Sequence, residues 1–389
     1  MRGEKMLVNP FTARSGMDPK VFIGRDEEVA FFKQRLSNAF HGRFQHYVIT
    51  GTWGIGKTVL LRQMKLVART EGAWALLFST RAFAAQEGLT DFARHVLDMT
   101  ASDLPILPEK KEPFAKRVEG AGASVLGFGF QLQWRNASAN QDPQLVLRDG
   151  LMRLHEHAER HGARSLVILI DDVHNLSTEG QQLTLLRNVL TDERILGQTK
   201  ILMVISSIEQ AWKPYLVRDH PLGRLFMPRR PLGSFAKTET FRLIDDSLRE
   251  SGVVFEKGVK ENIFDITRGH VFEVQALCEA LFDQQVKGRV SMENWETALY
   301  HTLLALADAQ FEGMVGRASV QEMTALKVLA TNDAVLSPRT LEKRSAKVKN
   351  AAEVLKRLTE KGLVERIGRG QYRIADPLFA EYIKRRELK

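Results

Sequence analysis

Short apolar segments alternate with stretches of helical periodicity through the first 235 residues of the chain. A run of four to eight apolar residues has the length of a buried strand, whereas apolar residues that recur every three or four positions indicate a helix. We therefore predict strands at His46–Thr50, Trp74–Thr80, Leu166–Ile170 and Ile201–Ser206. Helices are predicted near Asp26–Phe40, Lys57–Glu71, Leu89–Met99, Pro143–His161 and Thr178–Leu190. This alternation is typical of a three-layer α/β fold, in which helices cover both faces of a parallel sheet.

After residue 235 the pattern becomes helical throughout, and from about residue 317 the elements become shorter. Helices are predicted at Thr238–Ser251, Lys257–Thr267, Val271–Lys287 and Met292–Phe311. Three shorter helices and a β-hairpin then follow, an order typical of a winged helix. The hairpin strands are predicted at Leu363–Ile367 and Tyr372–Ile374. The predicted division of the chain is a strap at 1–20, an α/β core at 21–235, a helical segment at 236–316 and a winged helix at 317–389.

Residues 102–142 interrupt the alternation inside the predicted core. Three prolines precede a glycine-rich piece, and the alternating stretch Phe128–Trp134 then predicts a strand or hairpin with one apolar face. This insertion either packs its aromatic side chains on the core or presents them to a partner, and the pattern does not decide between the two.

Length, cysteine content and charge narrow the class of protein. A chain of 389 residues exceeds the size of one hydrophobic core, so two or three domains are expected. Apolar runs such as Leu166–Ile170 are too short to cross a bilayer, and residues 1–10 lack the apolar stretch of a secretory signal. The one cysteine, Cys278, lies in an apolar helical pattern and fits a buried thiol in a reducing compartment. We expect a cytoplasmic protein that makes no membrane contact, and the net charge of +9 favours polyanionic partners.

A glycine-rich loop stands between the first predicted strand and the helix that follows it. The spacing G-x4-G-K-[ST] is met by Gly51-Thr52-Trp53-Gly54-Ile55-Gly56-Lys57-Thr58. Glycines at these positions let backbone N–H groups turn towards a phosphate, and the start of the next helix, at Val59, adds positive potential. We predict that residues 51–59 bind ATP, that Lys57 contacts the β- and γ-phosphates, and that the Thr58 hydroxyl binds Mg²⁺.

Two aspartates follow the most apolar predicted strand. Asp171 and Asp172 stand at the carboxyl end of Leu166–Ile170, which is where ligands bind in open α/β sheets. We predict that Asp171 belongs to the magnesium shell and that Asp172 orients or deprotonates the attacking water. The alternative is that both aspartates only cap the next turn. His174 is interpreted as a solvated loop residue.

Together these motifs resemble those of the AAA+ ATPases, and in particular the archaeal-type group related to origin-recognition proteins and to STAND signalling ATPases. The resemblance covers nearly the whole chain and implies a P-loop core, a helical lid and a C-terminal winged helix. The segment Phe22–Glu28 resembles the box before the first strand, which implies that Gly24 and Arg25 line the adenine site.

Three further site residues are implied by the same resemblance. The strand Ile201–Ser207 resembles the sensor-1 strand and places Ser206 or Ser207 near the γ-phosphate; we select Ser207. Arg224 stands where such families carry an arginine that acts on the nucleotide of a neighbouring subunit, and its charge would stabilise the transferring phosphoryl group. Arg268, in the lid motif, is a candidate sensor-2 cation for the nucleotide.

The chain departs from the family pattern at two positions. Many relatives have proline where this sequence has Val271, which puts the lid contact with the adenine in doubt. Many active relatives have glutamate where Asp172 stands, and the shorter side chain sets the carboxylate farther from a water. We therefore expect slow hydrolysis, which fits a switch as well as a motor.

Positive charge is concentrated near the C-terminus. Residues 337–373 contain eleven lysines and arginines against four glutamates, and so carry most of the net charge of the chain. In the predicted helix Val348–Lys361 the apolar residues form one stripe, so that the basic residues lie on other faces. The predicted DNA contacts are Lys349, Lys356, Arg357, Lys361 and, at the tip of the wing, Arg369. A solvated basic surface or a protein-docking module is the alternative.

Two functions from different classes remain open at this point. The first is an ATPase that couples ATP binding to duplex DNA binding through the winged helix. The second is a STAND-like signalling or defence switch, in which the winged helix docks on protein and the nucleotide governs homo-oligomer formation. ATP or ADP and Mg²⁺ are expected in both.

Overall fold

The computed structural model describes residues 8–14, 17, 19–80, 88–102, 141–176, 181–331 and 335–386. The chain divides into two compact units. We call Arg25–Leu232 the α/β unit, and Met1–Gly24 together with Gly233–Lys389 the helical unit. The predicted insertion, including Phe128–Trp134, lies outside the described residues except at its two ends. Within the described part of the chain, no helix combines the length and apolar character that crossing a membrane requires.

A five-stranded parallel sheet forms the centre of the α/β unit. Its strands are β1 (Tyr47–Thr50), β2 (Trp74–Ser79), β3 (Leu166–Asp171), β4 (Ile201–Ser207) and β5 (Arg229–Pro231). They lie in the order β2-β3-β4-β1-β5, which makes β5 an edge strand. Every residue of β3 and β4 is buried, as expected of interior strands with helices on both faces.

The helices of this unit cover the sheet. They are α1 (Asp26–Phe40), α2 (Lys57–Thr70), α3 (Leu89–Ser102), α4 (Pro143–Arg160), α5 (Gln181–Leu190), α6 (Glu193–Gln198), α7 (Glu209–Arg218) and α8 (His220–Leu225). Local sequence sets their starts. The Asp142 carboxylate accepts a hydrogen bond from the Gln144 amide at 2.8 Å, and Pro143 occupies the first turn of α4, where no amide hydrogen is needed.

The four predicted strands are confirmed with ends within one residue of the prediction, and the predicted parallel α/β sheet is confirmed. The fifth strand, Arg229–Pro231, was not predicted. It has three residues, two of them charged, and as an edge strand it needs no alternating apolar pattern.

The helical unit contains helices and two small sheets. Its helices are α9 (Lys237–Leu248), α10 (Lys257–Thr267), α11 (Val271–Asp283), α12 (Trp295–Leu306), α13 (Glu312–Gly316), α14 (Val320–Thr331), α15 (Pro338–Arg344), α16 (Ala351–Glu360) and α17 (Pro377–Arg386). A π-helical turn, Ala307–Phe311, joins α12 to α13. Strands β6 (Val254–Phe255) and β7 (Arg289–Val290) pair in parallel, and β8 (Val364–Gly368) and β9 (Gln371–Ile374) form an antiparallel hairpin.

One continuous hydrophobic core joins the parts of the helical unit. It runs from α9 to α17, so the segments predicted as 236–316 and 317–389 share a core and form one compact unit. The N-terminal strap belongs to the same unit. Phe11 is buried with its ring centroid 5.8 Å from that of Phe255, and the Asn9 amide donates to the Glu279 carbonyl at 3.0 Å.

Candidate nucleotide-binding site

The loop between β1 and α2 has the backbone geometry that its glycines predict. Gly56 directly precedes α2 with φ +97°, a left-handed conformation that favours glycine. At Gly51, a Cβ atom would lie 2.8 Å from the Ile55 side chain and 3.1 Å from the Leu232 carbonyl oxygen, so only glycine fits. Ile55 is itself buried and anchors the loop, which leaves the backbone of residues 51–56 as a cradle in front of a helix N-terminus.

Lys57 lies inside this loop. Its ammonium group donates to the carbonyl oxygens of Gly51 at 3.2 Å and Thr52 at 2.8 Å, and the residue is buried. These hydrogen bonds hold the positive charge over the loop backbone, which is where the phosphates of a nucleotide would lie.

Arg25 supports the loop through its side chain. Its guanidinium donates to the Ile55 carbonyl at 3.0 Å, and the residue is buried. The sequence suggested a backbone role in an adenine site, which stays a prediction; the side-chain contact with the loop was missed because no local pattern reveals it. Gly24 has φ +71°, and a Cβ there would lie 2.8 Å from the ring of Phe235, so this position also requires glycine.

A hydrogen bond joins the loop to the predicted acidic pair. Thr58 Oγ1 donates to Asp171 Oδ2 at 2.5 Å. A hydroxyl and a carboxylate oxygen at this separation suit a hard cation such as Mg²⁺, which binds through one or two protein oxygens and takes the rest of its shell from phosphates and water. Within the described residues, no group of three or more acidic, histidine or cysteine side chains is placed so that it could hold a metal ion.

Asp172 is held in a left-handed backbone conformation, with φ 58°. Neighbouring strands fix it on both sides: the Thr80 hydroxyl donates to the Asp172 carbonyl at 2.5 Å, and the Asp172 amide donates to the Ser206 hydroxyl at 3.1 Å. Such a conformation costs about 1–3 kcal/mol and persists where the surroundings over-determine it. These hydrogen bonds therefore hold the Asp172 backbone in this conformation.

The two serines at the end of β4 have different hydrogen-bond partners. Ser206 Oγ donates to Asp171 Oδ1 and so orients the predicted metal ligand. Ser207, which the resemblance placed near the γ-phosphate, is buried and donates to the carbonyl of Ile208 at 3.1 Å. Its role towards a nucleotide stays a prediction.

His174 is not a solvated loop residue, which corrects the interpretation from sequence. Its side chain is 16% exposed, and Nδ1 lies 3.9 Å from Asp172 Oδ1. It belongs to the short 3₁₀ turn Val173–Asn175, which folds it back beside the aspartate. Alternation of polar and apolar residues cannot reveal such a turn.

Arg224 is exposed on the short helix α8 and makes no hydrogen bond or ion pair with any residue that the structure describes. Asp219, which the sequence analysis did not select, fixes the start of this helix. It accepts hydrogen bonds from Thr184 at 2.8 Å, Arg187 at 2.9 Å and the Leu222 amide at 3.3 Å. The predicted action of Arg224 on a neighbouring subunit is not tested by these hydrogen bonds.

Arg268 contacts the C-terminal part of its own unit. Its guanidinium donates to Glu365 at 2.8 Å and to the Ala375 carbonyl at 3.1 Å. Burial and the nearby charge of Arg373 lower the pKa of Arg268. The predicted contact with nucleotide stays a prediction, and the observed role is to hold α10 against the β8–β9 hairpin.

Two of the five predicted DNA contacts have a carboxylate partner inside the fold. Lys361 lies 2.6 Å and Arg357 lies 3.3 Å from the carboxylate of Glu322, a residue that is 1% exposed. The sequence could not show this pairing, because Glu322 is 35 or more residues away. Lys349, Lys356 and Arg369 are exposed and make no ion pair with any described carboxylate, and we call these three the basic surface.

Known proteins resemble this chain in sequence over residues 21–204 and in structure over nearly its whole length. The AAA ATPase domain family matches residues 21–204. No curated protein matches the chain in sequence. Among solved structures, a Walker-type ATPase of Pyrococcus abyssi is similar with a TM-score of 0.64 and 16% identity, covering 96% of this chain and 99% of that one.

Two further solved structures are similar over their full length. The ORC2 protein of Aeropyrum pernix, solved as ADPNP–ADP complexes, has a TM-score of 0.62 and 16% identity, covering 97% of this chain and 98% of that one. The Cdc6p protein of Pyrobaculum aerophilum has a TM-score of 0.50 and 18% identity, covering 97% and 98%. Residues 21–204 therefore match the AAA ATPase domain family, and the whole chain has a fold similar to those of this Walker-type ATPase, the ORC2 protein and the Cdc6p protein.

Proposed function

We propose that the protein binds and hydrolyses ATP with Mg²⁺ and couples the bound nucleotide to duplex DNA binding through its C-terminal winged helix. The observation that carries the ATPase part is the hydrogen bond of 2.5 Å between Thr58 and Asp171, which brings both halves of a nucleotide site together. The complexes of the A. pernix ORC2 protein with ADPNP and ADP support the same reading for this fold.

Each residue of the site has a defined part in this chemistry. The loop amides and Lys57 bind the β- and γ-phosphates and balance their charge. Thr58 and Asp171 would hold Mg²⁺, which supplies Lewis-acid neutralisation of the phosphate oxygens. Asp172, fixed by Thr80 and Ser206, orients a water for attack or accepts its proton.

The DNA part is supported by the C-terminal elements α14, α15, α16 and the β8–β9 hairpin, which have the order of a winged helix. Lys356 lies on the exposed face of α16, Lys349 lies just before this helix, and Arg369 lies in the hairpin turn. These cations are separated from the apolar side of α16, which is buried in the core. An exposed helix face and an adjacent hairpin tip of one charge fit contacts with the phosphate backbone.

Phosphate release tests the ATPase part. The parent should release phosphate from Mg-ATP, and Lys57→Ala should lower ATP affinity by about 10- to 100-fold, because the substitution removes a charge-assisted hydrogen bond to the phosphates. The matched control is Lys33→Ala, since Lys33 is an exposed lysine on the same unit whose nearest carboxylate is Glu71 at 3.9 Å. Equal ATP affinity of the Lys57 and Lys33 variants would exclude the proposed site.

Duplex DNA binding over a salt series tests the second part. Lys349→Gln/Lys356→Gln/Arg369→Gln should lower the log–log salt slope by roughly 0.9 for each phosphate that is no longer neutralised. The control removes three charges that already have carboxylate partners in the same unit, as Arg242→Gln/Arg249→Gln/Lys257→Gln. DNA affinity measured with ATP and with ADP then tests the coupling. Nucleotide-dependent oligomers without DNA affinity would support the signalling switch instead.

A further inference from the structure

Two guanidinium groups lie over one phenyl ring on the surface of the α/β unit. The Cζ atoms of Arg35 and Arg230 lie 4.7 Å and 4.8 Å from the ring centroid of Phe31. Tyr47 meets the same ring edge-on, with centroids 5.2 Å apart. Arg35 lies one turn after Phe31 in α1, and Arg230 is the middle residue of the edge strand β5. The Phe31 ring is therefore contacted by one arginine from a helix and one from the edge strand of the sheet.

Neither arginine has an anionic partner among the residues that the structure describes. The preceding residue of β5 differs in this respect, because Arg229 pairs with Glu209 at 2.8 Å. In addition, Nε of Arg35 is buried and finds no acceptor in the described part of the protein. Two like charges near one ring repel each other, and a buried N–H without an acceptor is costly. An anion that bound both guanidinium groups would offset the repulsion between their charges.

The chemistry of the two side chains favours phosphate as that anion. A guanidinium can lie over an aromatic ring and still present N–H donors in a planar fork that matches two phosphate oxygens. The Phe31 ring is already contacted by two guanidiniums and by Tyr47, which leaves less of it for a base to stack on. The site therefore suits the sugar–phosphate backbone and not the bases of a nucleic acid.

We propose that Arg35 and Arg230 form a second nucleic-acid contact, located on the α/β unit, which binds the phosphodiester backbone of duplex DNA without reading its sequence. Arg230 lies on an edge strand of the sheet, and the net charge of +9 favours the approach of a polyanion. This inference rests on the proposed function, because it adds a contact to the DNA binding attributed to the basic surface.

The neighbouring arginines of β5 provide the test. Binding of a labelled duplex of random sequence to the full-length protein is measured over a salt series for the parent, Arg230→Gln and Arg229→Gln. Arg230→Gln should lower the log–log slope by roughly 0.9, and Arg35→Gln/Arg230→Gln by about twice that value, since each substitution leaves one phosphate without its cation. Arg229→Gln should leave the slope unchanged because Glu209 already neutralises this charge. Arg230→Lys should retain the slope with weaker binding, since lysine is a point charge.

The outcomes separate this inference from the proposed function. If Arg35→Gln/Arg230→Gln binds like the parent while the triple variant of the basic surface does not bind, the second contact is refuted and the proposed function stands. If Arg229→Gln and Arg230→Gln weaken binding equally, the effect is a general decrease in charge and the inference fails. A parent protein without DNA affinity overturns both. ATP affinity equal to that of the parent shows that each variant is folded.

Discussion

The hydroxyl of Thr58 donates a hydrogen bond to the carboxylate of Asp171 at 2.5 Å, across 113 residues of sequence. The bond connects the first turn of α2 with the end of β3, where Ser206 holds the other carboxylate oxygen of Asp171. Both oxygens that suit Mg²⁺ are therefore positioned by interior strands and by a helix N-terminus. In the proposed function, this pair would supply the protein part of the Mg²⁺ shell, and a nucleotide would complete it.

Replacing either partner should reduce the magnesium dependence of ATP binding. We expect Thr58→Ala and Asp171→Asn to weaken Mg-ATP binding by about 10- to 100-fold, the effect of removing one interaction with a charged group. Thr58→Ser keeps the hydroxyl and should bind as the parent does. Calorimetric titration with ATP, performed once in the presence of Mg²⁺ and once in the presence of EDTA, measures the effect. A variant that retains the full increase in affinity from Mg²⁺ would remove its residue from the metal shell.

Asp172 should affect turnover and not binding. In Asp172→Asn the amide cannot accept the proton of water, and general-base catalysis contributes about 10²- to 10⁴-fold. Asparagine tolerates the left-handed conformation that the structure shows at φ 58°, so the fold should persist. Phosphate release in a single turnover, together with ATP affinity, distinguishes the two effects. Equal release rates for parent and variant would exclude Asp172 from the chemical step.

Thr80→Val provides a companion measurement, because it removes the hydroxyl that fixes the Asp172 carbonyl. Its turnover should fall less than that of Asp172→Asn, with ATP affinity unchanged. Thr80→Ser, which retains the hydroxyl, should restore the rate.

The motifs of the candidate nucleotide site can be recognised in the sequence because they are local. Lys57 and Thr58 follow from a fixed spacing, and Asp171 follows from an apolar run that ends in a carboxylate. The supporting residues were not predictable, since Thr80, Ser206 and Arg25 act through hydrogen bonds that join distant segments.

The same reason explains the remaining differences. Arg357 and Lys361 read as surface charges on a helix, yet a buried carboxylate on α14 pairs with both. The boundary at residue 316 stays a prediction from a change in element length, and the structure adds that the apolar sides of α12, α14 and α17 meet in one core. Periodicity reports which side of a helix is buried and does not report what covers it.

His46 should make the α/β unit less stable in mild acid. Burial lowers the pKa of this histidine from 6.5 to about 4, and its Nδ1 accepts a hydrogen bond from the Met203 amide at 3.0 Å. The unfolded chain binds a proton between these values, so stability is full above pH 6.5 and falls towards pH 4 by about 3 kcal/mol. Urea unfolding from pH 7.5 to 4 measures this decrease.

His46→Gln should show a smaller pH dependence than the parent over that range. The exposed His41 supplies the control, since His41→Gln should leave the curve unchanged. A parent curve that is flat between pH 6.5 and 4 would contradict the assignment.

Glu322 should stabilise the helical unit above pH 4.5. Burial raises its pKa, but hydrogen bonds from Lys361 and Ser319 outweigh burial and lower the pKa to about 2. Because the folded value lies below the unfolded one, the stabilisation is complete above pH 4.5 and is lost as the pH falls towards 2, by up to about 3 kcal/mol. The free energy of unfolding at pH 7 and at pH 3 is measured for the parent, for Glu322→Gln and for the exposed control Glu293→Gln. If the two substitutions lower the free energy of unfolding equally, this role of Glu322 is refuted.

The strap contact between Asn9 and Glu279 spans 270 residues of sequence, with the whole α/β unit between its ends. During synthesis at 5–20 residues per second, α11 follows the strap by roughly 10 to 60 s. In that interval the α/β unit can complete its own core. Phe11 cannot yet be buried, because Phe255 and Phe282, which it contacts in the folded protein, have not been synthesised. Translation therefore imposes an order of assembly, in which the strap is made before the α/β unit but reaches its final place after it.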